Sequence, residues 1–272
     1  MKKIDSRQNP SFKWLKELVG QARARRAHQA AWLEGERLCG AYIEHQVAAQ
    51  PAGSALPQPV LVADASVTDQ VAARLQQHLQ DCWVLDEKLF SEISQVASGP
   101  RWGLIIPALP GLPRTAAEAR AADVVILDRL QDPGNLGTLM RSAAAAGIEE
   151  VWCLEPTVDV WSPKVLRAAM GAHFVMHVVA ALPERELFAH LKERKLTLLA
   201  ADHGPGAASI YAPSIRLKQP CAWVFGQEGS GVAETILAKA QRVEIPQSDR
   251  VESLNVSAAA AVCLFEMVRQ RS

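Results

Sequence analysis

The sequence predicts an α/β protein built in two parts, and three observations carry that expectation. Short apolar runs alternate with helical stretches along most of the chain. The interval Pro107-Ala-Leu-Pro-Gly-Leu-Pro113 packs three prolines and a glycine into seven residues and reads as a linker. In the second part a strand-like run twice passes into a glycine-containing turn and then a helix. Such a turn lies at the carboxyl edge of a sheet, where open α/β sheets bind ligands. The expected division is a first domain over residues 1–106, a linker over 107–120 and a second domain over 121–272.

At 272 residues the chain can bury a sizeable core. Its formal net charge is zero, so attraction of a polyanion needs a local patch. The five cysteines (Cys39, Cys82, Cys153, Cys221, Cys263) are odd in number, widely spaced and without a C-x-x-C. That argues against a disulfide framework or a metal site and for buried, inert thiols. Met1-Lys2-Lys3 is not followed by an apolar core, and no apolar run reaches membrane-spanning length. The expectation is a soluble, cytoplasmic protein with no membrane partner.

The local patch stands at the N-terminus. Residues Lys2 to Arg26 carry eight basic side chains against Asp5 and Glu17. Ser11 to Val19 has helical spacing with Phe12, Leu15, Leu18 and Val19 on one face, and Pro10 marks its start. A solvated helix face and a phosphate-binding face are both open readings of this charge run. Helices are expected over Ala41–Ala49, Thr68–Gln80 and Leu89–Val96, with strands at Val60–Ala63, Cys82–Leu85 and Trp102–Ile106. Pro51 to Pro59 reads as a loop.

In the second part Asp123–Asp128 is a buried-type strand, and Gln131 to Gly137 is expected as a turn before a helix from Thr138 to Ala146. It is neither G-x-G-x-x-G nor a Walker loop, so a nucleotide-phosphate site lacks motif support. Arg141 is either a surface arginine or one that meets an anion beside a tightly packed alanine face. Glu150–Leu154 reads as a strand, and Ser162–Gly171 as a capped helix with Pro163 first, which puts Lys164 and Arg167 one turn apart. His173–Val179 is expected as a strand whose histidines have no catalytic part. Glu186–Arg194 reads as a helix, and Leu196–Ala200 and Cys221–Phe225 as strands. The last strand runs into Gly226-Gln-Glu-Gly-Ser-Gly231 and a helix to Ala240. Glu228 in that loop repels phosphate and favours a neutral or cationic ligand. Arg242–Ile245 is a short strand stopped by Pro246. The polar stretch Ser253-Leu-Asn-Val-Ser257 then enters a run that is apolar on almost every face, expected to be a buried helix. Its polar side chains either cap that helix or hold a ligand.

Three motifs therefore stand in order: Asn135-Leu-Gly137 with Arg141, Gly226-Gln-Glu228 with Gly231, and Ile245-Pro246 with Ser253–Ser257. Together they resemble the SpoU (TrmH) family of RNA ribose 2′-O-methyltransferases, within the SPOUT class, over about Asp123 to Arg271. Residues Ser6–Pro10, Lys13 and Leu33–Glu36 resemble the L30e-like substrate-binding domain that many members carry. The resemblance implies a parallel sheet with helices on both faces, a deep trefoil knot, a homodimer and S-adenosylmethionine bound in the knot. It implies that Gly226, Ile245 and Leu254 line the cofactor pocket, with Gly231 and Asn255 beside it. Asn135, Arg141, Glu228, Asn255 and Ser257 form the catalytic set that it implies. Ala169 departs from the serine that relatives often carry there. RNA contacts are expected from Arg7, Lys13, Arg23, Arg25, Arg26, Lys164 and Arg167, with ribosomal RNA favoured over tRNA. The alternatives are a tRNA methyltransferase, a non-catalytic RNA-binding protein, or a nucleotide-dependent α/β enzyme that the missing phosphate loop disfavours.

Within the family Arg141 is the proposed general base. An arginine titrating above ~12 costs roughly 7 kcal/mol to hold neutral at pH 7. The physically easier role is to bind the adjacent phosphate and stabilise the developing alkoxide.

Overall fold

The structure is a computed structural model and describes residues 1–47, 58–75, 78–96, 99–108, 111–119, 122–248, 250 and 253–272. Several expectations lie partly outside these residues: the Pro51–Pro59 loop, the end of the helix expected to reach Ala49, and part of the linker. The helix expected over Thr68–Gln80 is observed over Thr68–Leu75, and residues 79–80 are not helical. The chain divides into two compact units, Met1–Leu109 with Trp161–Phe174, and Pro110–Val160 with Val175–Ser272.

The first unit is a mixed sheet with helices. Its strands are β1 (Lys2–Ile4), β2 (Ala30–Glu34), β3 (Val60–Asp64), β4 (Asp81–Leu85) and β5 (Trp102–Pro107), in the order β1-β4-β3-β5-β2. β1 and β3 pair parallel to β4, while β5 runs antiparallel to β3 and β2. Helix α1 (Pro10–Gly20) starts with Pro10 at its first position and Asn9 accepting from the Ser11 amide at 2.9 Å. It buries Phe12, Leu15, Leu18 and Val19, the face read from the spacing. Helices α2 (Ala22–His28), α3 (Glu36–Tyr42), α4 (Thr68–Leu75) and α5 (Glu87–Ile93) complete the layers, and a π-turn at Ile43–Val47 extends α3.

In the second unit α6 (Ala116–Ala119) precedes β6 (Val124–Asp128), α7 (Pro133–Ala145) and β7 (Glu150–Leu154). The chain then enters α8 (Pro163–Ala169) and a 3-10 turn at Ala172–Phe174, which belong to the first unit. Leu166 and Phe174 are buried in that unit's core, with the Phe174 and Tyr42 rings edge-on at 5.3 Å. A division by sequence order alone could not place this segment. The expected strand at His173 is also corrected: His173 and Phe174 are in the 3-10 turn, and β8 covers only His177–Leu182.

The second unit continues with β8, α9 (Glu184–Arg194), β9 (Thr197–Ala201), β10 (Ala208–Ser209), β11 (Cys221–Gly226), α10 (Glu234–Leu237), β12 (Gln241–Glu244) and α11 (Val256–Arg271). Seven parallel strands lie in the order β10-β12-β9-β11-β6-β7-β8. β6, β7 and β11 are buried at every position, which is why they read as apolar runs, interrupted only by Asp128 at the end of β6 and Glu150 at the start of β7. α11 differs from the expected fully buried helix. It buries Ala260, Cys263, Leu264 and Met267 but leaves Ala258 and Phe265 exposed, with Phe265 47% accessible. Arg271 ties its far end to Asp123 at the start of β6, with Nη2 to Oδ1 at 3.0 Å.

All five cysteines are free, four are buried and Cys82 is half-buried. Burial pushes the thiols of Cys153, Cys221 and Cys263 up to about 12, so they stay protonated near neutral pH.

Candidate active site

The carboxyl ends of β9, β11 and β12 surround a cavity of about 410 Å³ within the second unit, large enough for a small-molecule ligand. Its walls come mainly from four stretches: Ala201–His203, Phe225–Val232, Arg242–Val243 with Ile245 and Gln247, and Ser253–Leu254 with Val256. Gly226, Gly231, Ile245 and Leu254 all line it, and Asn255 stands between two lining residues.

Gly226 has a steric reason to be glycine. A Cβ there would fall 2.2 Å from the Gly231 carbonyl carbon and 2.3 Å from the Val232 amide nitrogen. The loop thus folds back against its own strand, closed by the Gly231 amide donating to the Gln227 carbonyl at 2.8 Å. Gly231 itself has φ +65°. At the loop's far end the Ala233 amide donates to Asp128 Oδ2 at 2.7 Å. Asp128 and Arg129 adjoin this loop, and the motifs do not reveal them. The available signal was a carboxylate closing an apolar strand, since a buried carboxylate requires a partner.

A polar network joins the three motifs. Asn135 lies inside the first turn of α7, which Asp132 caps by accepting from the Asn135 amide at 2.7 Å. This corrects the expected turn: the helix starts at Pro133, five residues before Thr138, because Asp132-Pro133 is itself a start signal. Asn135 Nδ2 donates to Glu228 Oε1 at 2.6 Å, and its Oδ1 accepts from Asn255 Nδ2 at 2.9 Å. Ser257 Oγ donates to the Asn135 carbonyl at 3.1 Å. Asn255 also caps α11, accepting from the Ser257 amide at 2.9 Å. The stretch thus caps α11, and its Ser253, Leu254 and Val256 line the cavity.

The donor set fits S-adenosylmethionine. Backbone groups and the Glu228 carboxylate suit a sulfonium cation. The arginine on the wall, Arg242, is already engaged by Asp202 at 2.6 Å. Arg141 does not line the cavity. It is exposed on α7, on one face with Thr138 and Ala145.

The SpoU rRNA Methylase family model matches residues 123–265, from β6 to near the end of α11. The chain belongs to this family. Over 98% of its length it is 31% identical to the 23S rRNA (guanosine(2553)-2′-O)-methyltransferase RlmP of Bacillus subtilis, covering 99% of that protein. It is 39% identical over 156 residues to a tRNA/rRNA methyltransferase of Synechocystis, and 32% identical over 206 residues to human mitochondrial rRNA methyltransferase 3. Those two matches span about half of the relatives, 53% and 49% of their lengths. Among solved structures, an AdoMet-bound rRNA methyltransferase from Sinorhizobium meliloti aligns with a TM-score of 0.82 at 25% identity, covering 99% of this chain and 98% of that one. An RNA 2′-O ribose methyltransferase aligns with a TM-score of 0.73 at 27% identity, covering 99% of each. SpoU membership carries the fold, the methyl donor and the reaction class.

The basic residues expected to meet RNA are not equivalent in this SpoU protein. Lys13, Arg23, Arg26 and Lys164 are exposed, and Arg167 is half-buried. Arg7 is exposed but paired with Glu92 at 2.5 Å, and Lys16 joins the same carboxylate at 2.9 Å. Arg25 corrects the expectation. It is 5% exposed, and its Nη1 donates to the Leu18 and Val19 carbonyls at 2.7 and 2.9 Å. It satisfies the open carbonyls at the end of α1 and is not free for phosphate. Among the described residues no helix is long and apolar enough to cross a membrane.

Proposed function

We propose that this chain transfers a methyl group from S-adenosylmethionine to a ribose 2′-hydroxyl of ribosomal RNA, acting as a homodimer in the cytoplasm. The observation that carries this reading is the Asn135–Glu228–Asn255–Ser257 network. It gathers side chains up to 122 positions apart beside one cavity at the carboxyl edge of a parallel sheet. The trefoil knot of the SPOUT class belongs to the same proposal.

When bound, the donor supplies an electrophilic methyl on a sulfonium. Gly226, Gly231, Ile245 and Leu254 hold it, largely through backbone groups, and Glu228 provides the opposite charge. Asn135, fixed by three neighbours, orients the network at the cavity's edge. Arg141 reaches the reacting ribose from a second copy, neutralising the adjacent phosphate and the developing alkoxide while a phosphate oxygen or water takes the proton. The exposed face of α11 with Ala258 and Phe265, packed beside α7, supports a dimer that brings Arg141 across.

The test is to incubate the protein with labelled donor and total RNA from a deletion strain, then map 2′-O-methylated positions. Label in ribosomal RNA is the expected result, and label in tRNA selects the tRNA reading. Calorimetry showing no donor binding would leave an RNA-binding protein without catalysis. Arg141→Lys is expected to retain substantial single-turnover activity. Complete loss with unaltered RNA affinity would count against the charge role.

A further inference from the structure

Arg129 is explained neither by the three motifs nor by the cavity wall. It follows β6 in the left-handed region, φ +59°, a conformation that strains a side-chain-bearing residue and suits glycine. Its guanidinium turns back on its own chain. Nε donates to Asp128 Oδ1 at 2.8 Å and Nη2 to Asp128 Oδ2 at 3.0 Å. The same Nη2 reaches the Gly231 carbonyl at 3.4 Å. Asp128, 1% exposed, also accepts the Ala233 amide. One ion pair therefore holds both ends of the turn at Gly231–Ala233, and Gly226 lies in register with Asp128 across the sheet. The Arg129 side chain is 31% accessible but Asp128 is 1%, so the guanidinium also compensates a buried carboxylate. That compensation asks only for a cation beside Asp128; it does not require the same guanidinium to reach the Gly231 carbonyl as well.

We propose that the Asp128–Arg129 pair is a positioning device that presets the glycine loop for the methyl donor. By fixing the Gly231 carbonyl and the Ala233 amide, it removes loop freedom that donor binding would otherwise have to remove. This inference rests on the cavity being the donor site.

Arg129→Gly is the discriminating variant, because it relieves the backbone while deleting the guanidinium. In the full-length protein its thermal midpoint is expected to fall, because Asp128 is left buried without its cation, so donor binding is measured well below that midpoint. Its Kd for S-adenosylmethionine is expected to rise about tenfold, as removal of one charge-assisted hydrogen bond implies. The donor KM should rise with it, while kcat at saturating donor stays near the parent value. Arg129→Lys, which keeps charge without the fork, should fall between the two. Asp128→Asn, which keeps an acceptor for the Ala233 amide, should also weaken donor binding. Parent-like donor binding in Arg129→Gly, or a fall in kcat without a change in KM, would overturn this inference alone. A parent protein that bound no donor would overturn the donor-site reading and this inference with it.

Discussion

Replacing Gly226 with alanine tests the donor site at its tightest point. The added Cβ would meet the Gly231 carbonyl carbon at 2.2 Å, where ordinary contact begins at 3.4 Å. The main chain opposite must retreat by about 1.3 Å or more to reach a normal carbon–carbon separation. Two bonds resist that movement: the Gly231 amide to Gln227 at 2.8 Å and the Ala233 amide to Asp128 at 2.7 Å. Stretched by that much, neither remains a hydrogen bond. Losing one neutral and one charge-assisted bond costs about 2.5–4 kcal/mol. If the donor must restore the loop, that cost appears as a roughly hundred- to thousandfold rise in Kd. If it falls on the free protein instead, the melting midpoint drops by roughly 5–15 °C. Calorimetric titration with S-adenosylmethionine and a thermal melt read both. Gly229→Ala is the control, since a Cβ there meets nothing within 4 Å. Donor affinity and melting in Gly226→Ala matching Gly229→Ala would refute the steric reasoning.

Other predictions concern charge and assembly. Arg23→Ala with Arg26→Ala should weaken RNA binding and flatten its salt dependence, by about 0.7–0.9 in log–log slope for each phosphate no longer neutralised; an unchanged slope would remove the basic face from the interface. Arg25→Met should instead destabilise the protein by about 2–3 kcal/mol in denaturant melts, by leaving two buried carbonyls without their charged donor. Phe265→Glu should shift the protein from dimer to monomer in light scattering and abolish methyl transfer with donor binding retained. Glu266 is held down to about 2 by hydrogen bonds from Arg269 and then Gln270. Because its folded value lies below the usual 4.5, its contribution is present above that value and lost as pH falls toward about 2. Glu266→Gln should therefore melt below the parent at pH 6 and converge with it at low pH, by differential scanning fluorimetry.

Where an element's signal was local, the sequence specified it. The face of α1, the start of α8 at Ser162-Pro163, and strands β6, β7 and β11 follow from spacing, capping residues and apolar runs that neighbours do not override. The site motifs were legible for the same reason: glycines, capping side chains and a proline-stopped strand each require a particular local backbone. Boundaries shifted where a cap and a turn share the same residue types, as at Asp132-Pro133, and where a short apolar run could be strand or turn, as at His173–Phe174.

The sequence by itself determined the α/β class, the family and the three motif stretches that lie beside the cavity. Only the tertiary structure decided which charges are free. Arg25 and Arg23 are two positions apart, yet one closes a helix end and the other faces water, because helical rotation turns them toward different surroundings. It also decided that Asn135, Glu228, Asn255 and Ser257 meet, that Trp161–Phe174 packs with the first unit, and that Asp128 with Arg129 grips the glycine loop. Each of these depends on segments far apart in the chain arriving within hydrogen-bonding or packing distance, and that distance is set by how the sheets and helices pack.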